Sequence, residues 1–276
     1  MAMIMRRGRW GFVIAVLLAT VASALFAPWV APHDPTVQDL LGKLQPPAWV
    51  DGGSLEHPLG TDGLGRDILS RIMYGSRVSL LVGTVAVGIG ALVGVSLGLL
   101  AGYFGRWVDG LIMRIADIQL SFPFILLALA IIGVLGASLR NLVLVLGLAS
   151  WMFYARMVRA EVLSLKEREY VTAAKAIGAA SPRVIVRHVL PNVAHIVVVI
   201  ATLEVARMIL MESALSFLGL GVQPPTPSWG GMLNDSQLYM ATAWWLTAFP
   251  GLAIVFTVLA VNLLGDVLRD VLDPRL

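Results

Sequence analysis

Glu204 and Arg207 lie three residues apart in an otherwise apolar run, so on a helix their side chains meet as an ion pair. Charges inside hydrocarbon are costly and are kept where they are paired and face protein or a water-filled path. Two readings of the pair stand: it lines a pathway, or it is an internal bond that keeps its helix turned toward protein. Elsewhere the reactive side chains do not converge. His33, His57, His188 and His195 are scattered along the chain with no His or Cys neighbour at ligand spacing, so no metal site is expected. Cysteine is absent, which removes disulfides and thiolate ligands. Of the three lysines, Lys43, Lys166 and Lys175, none sits in the Gly-Lys-Ser/Thr ending of a phosphate-binding loop. Asp109 and Asp117, around Arg114, are expected to fix helix ends. With no nucleophile beside a base, neither a catalytic site nor a cofactor site is expected in this chain.

The elements that position these residues follow from composition. The 276 residues are 58% hydrophobic and 13% charged, with a mean hydropathy of +0.84. Soluble domains carry nearer ~25% charged residues, so the expected solvent is lipid. A formal net charge of +3, spread along the chain, excludes a nucleic-acid binder. Stretches free of Asp, Glu, Lys and Arg cover 10–32, 78–105, 118–139 and 141–155. Two more apolar runs cover 193–211, interrupted by the Glu204/Arg207 pair, and 240–265, with Pro250 inside. A bilayer core needs about 20 apolar residues per helix, so the reading is an all-α membrane protein with six transmembrane helices. The first run follows Arg6, Arg7 and Arg9 but exceeds the apolar core of a secretory signal, so it is read as a retained helix. Residues 213–234 hold Pro224, Pro225, Pro227 and several glycines. Such a backbone cannot satisfy itself in hydrocarbon and is assigned to an external loop.

Six spans place both termini on one side. Fourteen Lys and Arg then fall on the side of the termini against five on the other, which favours cytoplasmic termini. The domains read as 1–32, cytoplasmic N-terminus and first span; 33–76, an extracytoplasmic loop; and 77–276, a five-helix core containing the loop 160–191. Within 33–76 a helix start is expected at Asp67, either as an interfacial helix or as a docking surface for an external partner. Gly90, Gly94, Gly98 and Gly102 recur at every fourth position of the second span. That row lets another helix approach closely, from this chain or from a second membrane subunit.

Between the fourth and fifth spans the chain reads "EYVTAAKAIGAASPRVIVRHVLPN". Tyr170 to Ile177 is helix-forming, Gly178 ends it, Ser181-Pro182 starts a second short helix, and Pro191 is expected to end that one. Physics alone allows this hairpin to lie on lipid headgroups or to dock on a partner. "TAAKAIG", nine residues, then "HVLP" resembles the EAA loop of ABC-importer permeases, written EAA-x3-G-x9-I-x-LP. Ala173, Ala174, Gly178, Leu190 and Pro191 match that pattern, while Thr172 stands where the family often has Glu and His188 where it often has Ile. Three further passages, "HPLGTDGLGRDILSRIMYGSRVSL", "RWVDGLIMRIADIQLSFP" and "ALSFLGLGVQPPTPSWGGML", with the closing "LLGDVLRDVLDPRL", are similar to the C-type subunit of the dipeptide, oligopeptide and nickel subfamily.

That resemblance implies a permease subunit of an ATP-driven importer in the bacterial inner membrane, with the hairpin between spans four and five as a cytoplasmic coupling helix. It implies ATPase contact through Thr172, Ala173, Ala174, Gly178, Leu190 and Pro191. It also implies a B-type permease partner, two ATPase subunits that hold ATP and Mg, and an external solute-binding protein. Dipeptides or oligopeptides are the first expected cargo, with nickel or another small solute as the alternative. A self-sufficient secondary transporter fits less well, because it needs no such hairpin and would show polar breaks at mid-membrane.

Overall fold

In the computed structural model the backbone is described for residues 2–272, and side chains for 10–271 with residue 12 excepted. The side chains of Arg6, Arg7 and Arg9 and the closing "DPRL" of the last motif lie outside the described residues. Ten α-helices are described: α1 Ala2–Val30, α2 Ile68–Phe104, α3 Arg106–Leu120, α4 Phe124–Leu135, α5 Leu139–Leu165, α6 Glu169–Ala176, α7 Ser181–Val184, α8 Leu190–Phe217, α9 Trp229–Ser236 and α10 Trp245–Leu272. Five stretches are long and apolar enough to cross a membrane, and α3 with α4, bent by 86° at their break, makes a sixth when the pair is counted as one span.

That bend corrects the sequence expectation of one helix over 118–139. Pro123 has no N–H to continue the α3 ladder and instead caps α4, so the chain turns at 121–123. At 12 residues α4 is about 18 Å long, too short to cross alone. α3 is fastened to α5 by ion pairs of Asp117 with Arg156 and of Asp109 with Arg159, the latter bidentate. Trp151 Nε1 also donates to Gln119 Oε1 at 2.8 Å. Asp109 and Asp117 therefore hold one helix against another rather than capping their own.

The second span begins at Asp67, whose carboxylate accepts the Ser70 N–H at 2.7 Å. No separate interfacial helix forms: residues 68–76, counted above with the loop, are the opening turns of α2. The glycine row faces α5 of the same chain. A Cβ on Gly98 would stand 2.7 Å from the Ala155 carbonyl oxygen and one on Gly102 2.7 Å from Val162 Cβ; at Gly90 it would collide with Ser150 and at Gly94 with the Trp151 carbonyl. Gly147 answers from α5, leaving room for Ile89 and Ala86. Lipid tails are as apolar as leucine, so this association rests on van der Waals contact, which small residues maximise by bringing backbones together. Around the pair, Val82, Ala86, Leu142, Leu146, Tyr154, Met208 and Leu215 form a buried core shared by α2, α5 and α8. α1 packs outside on α2 and α10, with Ser23 bonded to Ser76 and Thr20 to Thr257.

Two groups sit at opposite ends of this bundle: the loop 31–67 with α9 at one end, hereafter the loop end, and α6–α7 at the other, the hairpin end. At the loop end, 213–234 is not merely a loop. After Gly219, at φ +80, the chain folds back and re-enters as α9, capped by Ser228 on the Gly231 N–H. Trp229 is 2% exposed and donates from Nε1 to the Ile72 carbonyl at 3.0 Å, in a slot left open by Gly75.

Candidate functional site

The hairpin end is built from an anchored underside and an exposed tip. Val171, Ala174, Val184 and Val189 are buried against Leu99, Val158, Val162, Leu165 and Val193, which roots the hairpin on the ends of α2 and α5. Lys175 Nζ lies 5.1 Å from the Tyr103 ring centroid and Lys166 Nζ 3.4 Å from the Gly102 carbonyl, so both cations fasten the same joint. α6 ends in a paired backbone cap: Gly178 N–H donates to Lys175 O at 3.0 Å and Ala179 N–H to Ala174 O at 3.1 Å. That cap needs a left-handed residue, and Gly178 supplies it at φ +82.

Thr172, Ala173, Ala176, Ile177 and Gly178 are exposed at the tip, and Ile177 is 86% accessible. Ala174, expected at the tip, is turned inward and buried. The Thr172 hydroxyl donates to the Glu169 carbonyl at 2.9 Å, so this position presents a side chain satisfied on its own helix. The expected stop at Pro191 is not one. The chain runs on from α7 through a wide π-type turn, Ile185–Val189, into α8, one apolar helical stretch from Ser181 to Phe217. The wider turn relieves the clash between the Pro191 ring and the preceding carbonyls, and the absent Pro191 N–H falls where the ladder already shifts. Leu190 is half-buried and Pro191 exposed at this junction. The second arm of the hairpin is thus continuous with α8.

Inside the bundle, Arg207 donates to both Glu204 oxygens at 3.1 Å, and its guanidinium lies 4.2 Å from the Phe153 ring centroid and 5.0 Å from that of Phe124. The cation is clasped by α4, α5 and its own helix. Glu204→Gln removes the countercharge from this clasp. It is expected to lower recovery of folded chain from the membrane several-fold, as a charge losing its partner costs ~3–5 kcal/mol when buried and less when half-buried. Size-exclusion profiles of detergent extracts measure it; full recovery with lost transport would instead place the pair in a pathway.

At the loop end the structure gathers groups that sequence spacing does not connect. Asp62 pairs with both Arg66, at 2.7 Å, and Arg71, and Asp235 on α9 receives the same two guanidiniums at 2.9 and 3.1 Å. Arg66 and Arg71 are 8% and 4% exposed. They are bonded within the protein rather than offered to solvent, so they weigh little against the Lys/Arg asymmetry. The network lines a cleft of about 280 Å³ with Met232, Asn234 and Tyr239. Deeper, Glu212 is fully buried and accepts from Ser79 at 3.1 Å and Ser216 at 2.8 Å, a tie between α2 and α8 that the apolar run ending at 211 did not include. The histidines are not all scattered in space: the His33 and His57 rings lie with centroids 4.5 Å apart at a tilt of 35°, close to Glu56. Beside them, hydrogen bonds from the Thr36 hydroxyl and amide hold the Asp34 carboxyl below its ordinary range.

Residues 94–276 match the family described as binding-protein-dependent transport system inner membrane component, and residues 8–47 match the N-terminal TM domain of oligopeptide transport permease C. The chain is 48% identical to the di/tripeptide transport system permease protein DppC of Pseudomonas aeruginosa, covering 98% of this chain and 89% of that one. It is 48% identical to the dipeptide permease DppC of Escherichia coli, covering 96% and 88%. It is 45% identical to the glutathione permease GsiD of Escherichia coli, covering 94% and 84%. Among solved structures, a chain of the inward-facing MetNI methionine ABC transporter superposes with a TM-score of 0.58 at 20% identity, over 73% of this chain and 96% of that one, a likeness of fold.

Proposed function

The chain belongs to the family of binding-protein-dependent transport system inner membrane components, and on that premise we propose that it forms half of the membrane path of an ATP-driven importer of short peptides. The observation that carries the coupling half of this reading is the hairpin: a buried root on α2 and α5, an exposed tip that presents Ile177, and a continuous helix from Ser181 into the bundle. A tip of Thr172, Ala173, Ile177 and Gly178 fits a groove on an ATPase subunit, where burying Ile177 is favourable by ~1.5–3 kcal/mol. Leu190 and Pro191 act at the joint rather than at the contact. ATP and Mg are handled by that partner, consistent with a sequence that holds no phosphate loop. The hairpin end faces the cytoplasm, as the Lys/Arg asymmetry favours, and both termini lie on that side. The loop end then faces a solute-binding protein, and a second permease subunit of the B type completes the path.

The short-peptide cargo is supported by the relatives, whose names specify dipeptides, di- and tripeptides, and glutathione. ATP-dependent uptake of a labelled dipeptide and of nickel ion into vesicles, with and without this chain, tests it. Peptide uptake is expected to vanish without the chain. Loss of nickel uptake with peptide uptake unchanged would overturn the cargo while leaving the coupling reading intact.

A further inference from the structure

We infer that His33, Glu56 and His57 form a binding site for one divalent transition-metal ion of the zinc type at the loop end of the bundle. One ligand-capable atom from each of the three residues lies within 4.8 Å of the other two. Bonds of about 2.0–2.2 Å in a tetrahedral site place ligand atoms roughly 3.3–3.6 Å apart, so small side-chain rotations close the set.

The surroundings of the two imidazoles are those of a metal site. His57 Nδ1 lies 3.0 Å from Asp67 Oδ1. A carboxylate accepts, so Nδ1 carries the proton and Nε2 keeps its lone pair. A carboxylate that receives the far N–H of an imidazole fixes the tautomer and orients the ring for ligation. Asp67 is itself held, fully buried, because its other oxygen accepts the Ser70 N–H at 2.7 Å. On His33, Nδ1 is buried without a hydrogen-bond partner, and at 4.0 Å the same Asp67 oxygen is too far to satisfy it. That ring nitrogen, held beside a second imidazole, is free of competing hydrogen bonds.

Two imidazole nitrogens and one carboxylate oxygen suit Zn²⁺, Ni²⁺, Co²⁺ or Cu²⁺ better than Mg²⁺ or Ca²⁺, which prefer oxygen alone. Glu56 is exposed and His33 is one-third accessible, so the ion has an entry from solvent. Three protein ligands leave a fourth position for water. The residues come from the chain just after α1, from the loop, and through Asp67 from the cap of α2. A bound ion ties those three segments together.

The test uses the full-length chain, purified in detergent without a polyhistidine tag, freed of metal with a chelator and titrated with Zn²⁺ against a chromophoric competitor. One Zn²⁺ per chain is expected, with Co²⁺ giving the ligand-field spectrum of a low-coordinate nitrogen/oxygen site. His33→Gln and His57→Gln are each expected to weaken binding ~100-fold or more, and Glu56→Gln, at an exposed position that leaves the fold alone, ~10-fold. His188→Gln and His195→Gln should change nothing. A wild-type chain that binds no Zn²⁺, or binding unmoved by His33→Gln and Glu56→Gln, overturns the site. Peptide transport is a separate measurement and does not decide it.

Discussion

Ile177→Asp leaves the chain in the membrane at wild-type level, strips the ATPase subunits from the purified complex, and lowers ATP-driven uptake ~100-fold or more. The expectation follows from where the hairpin places its groups. Ile177 is 86% accessible, on the far side from the buried Val171, Ala174, Val184 and Val189. Nothing in the root of the hairpin depends on it, so the substitution does not unfold the chain. In a protein groove, a carboxylate without a partner loses its hydration and gains nothing, a penalty of several kcal/mol. Gly178 gives a graded control. At φ +82 it tolerates no L side chain without strain, so Gly178→Ala costs ~1–2 kcal/mol at the cap and weakens coupling modestly. Gly178→Trp adds bulk at the tip and abolishes copurification. Retention of the ATPase by Ile177→Asp would show that this face is not the contact.

Gly94→Leu acts at the other extreme, on the fold itself. Its Cβ would collide with the Trp151 carbonyl and stand 2.6 Å from Tyr154 Cβ, both on α5 and neither able to swing aside. Overpacking a core costs ~1–3 kcal/mol where side chains can shift, and more where the obstacle is backbone. The α2–α5 contact is the most extensive among the described helices, and both the glycine row and the hairpin root depend on it. Recovery of folded chain is expected to fall ~10-fold or more. Gly88→Leu is the internal control: a Cβ there meets nothing within 4 Å, so recovery should stay near wild type. Equal losses for the two variants would mean that apolar bulk anywhere on α2 is harmful and that the row has no special role.

The spans were legible because lipid imposes a simple rule, and runs without charge register it directly. The hairpin helices were legible for a local reason, since Gly178 writes a stop and Pro182 a start within a few residues, although Ala180 and not Ser181 takes the cap position and no side chain caps it. What escaped was geometry set by partners distant in sequence. Pro123 lies in an apolar stretch that reads as one helix, yet the chain bends there, and ion pairs of Asp109 and Asp117 hold α3 against α5. Pro191 reads as a terminator, and only the π-type turn at Ile185–Val189 lets the helix pass it. The contacts of Arg66 and Arg71 with Asp235, of Glu212 with Ser79, and of His33 with His57 join segments that no spacing rule links. The Pro-rich stretch before α9 signalled an irregular backbone correctly, but not that Trp229 would anchor its return into the bundle.

The chain contains no cysteine, so Ile177→Cys introduces a single thiol at the tip of the hairpin. The most direct test is site-specific cross-linking from that thiol in the assembled, ATP-energised complex. A cross-link to the ATPase subunit that changes with nucleotide, together with protection of the thiol from maleimide, is the expected result. A thiol that labels as freely in the complex as in the isolated chain, with no cross-link formed, would contradict it.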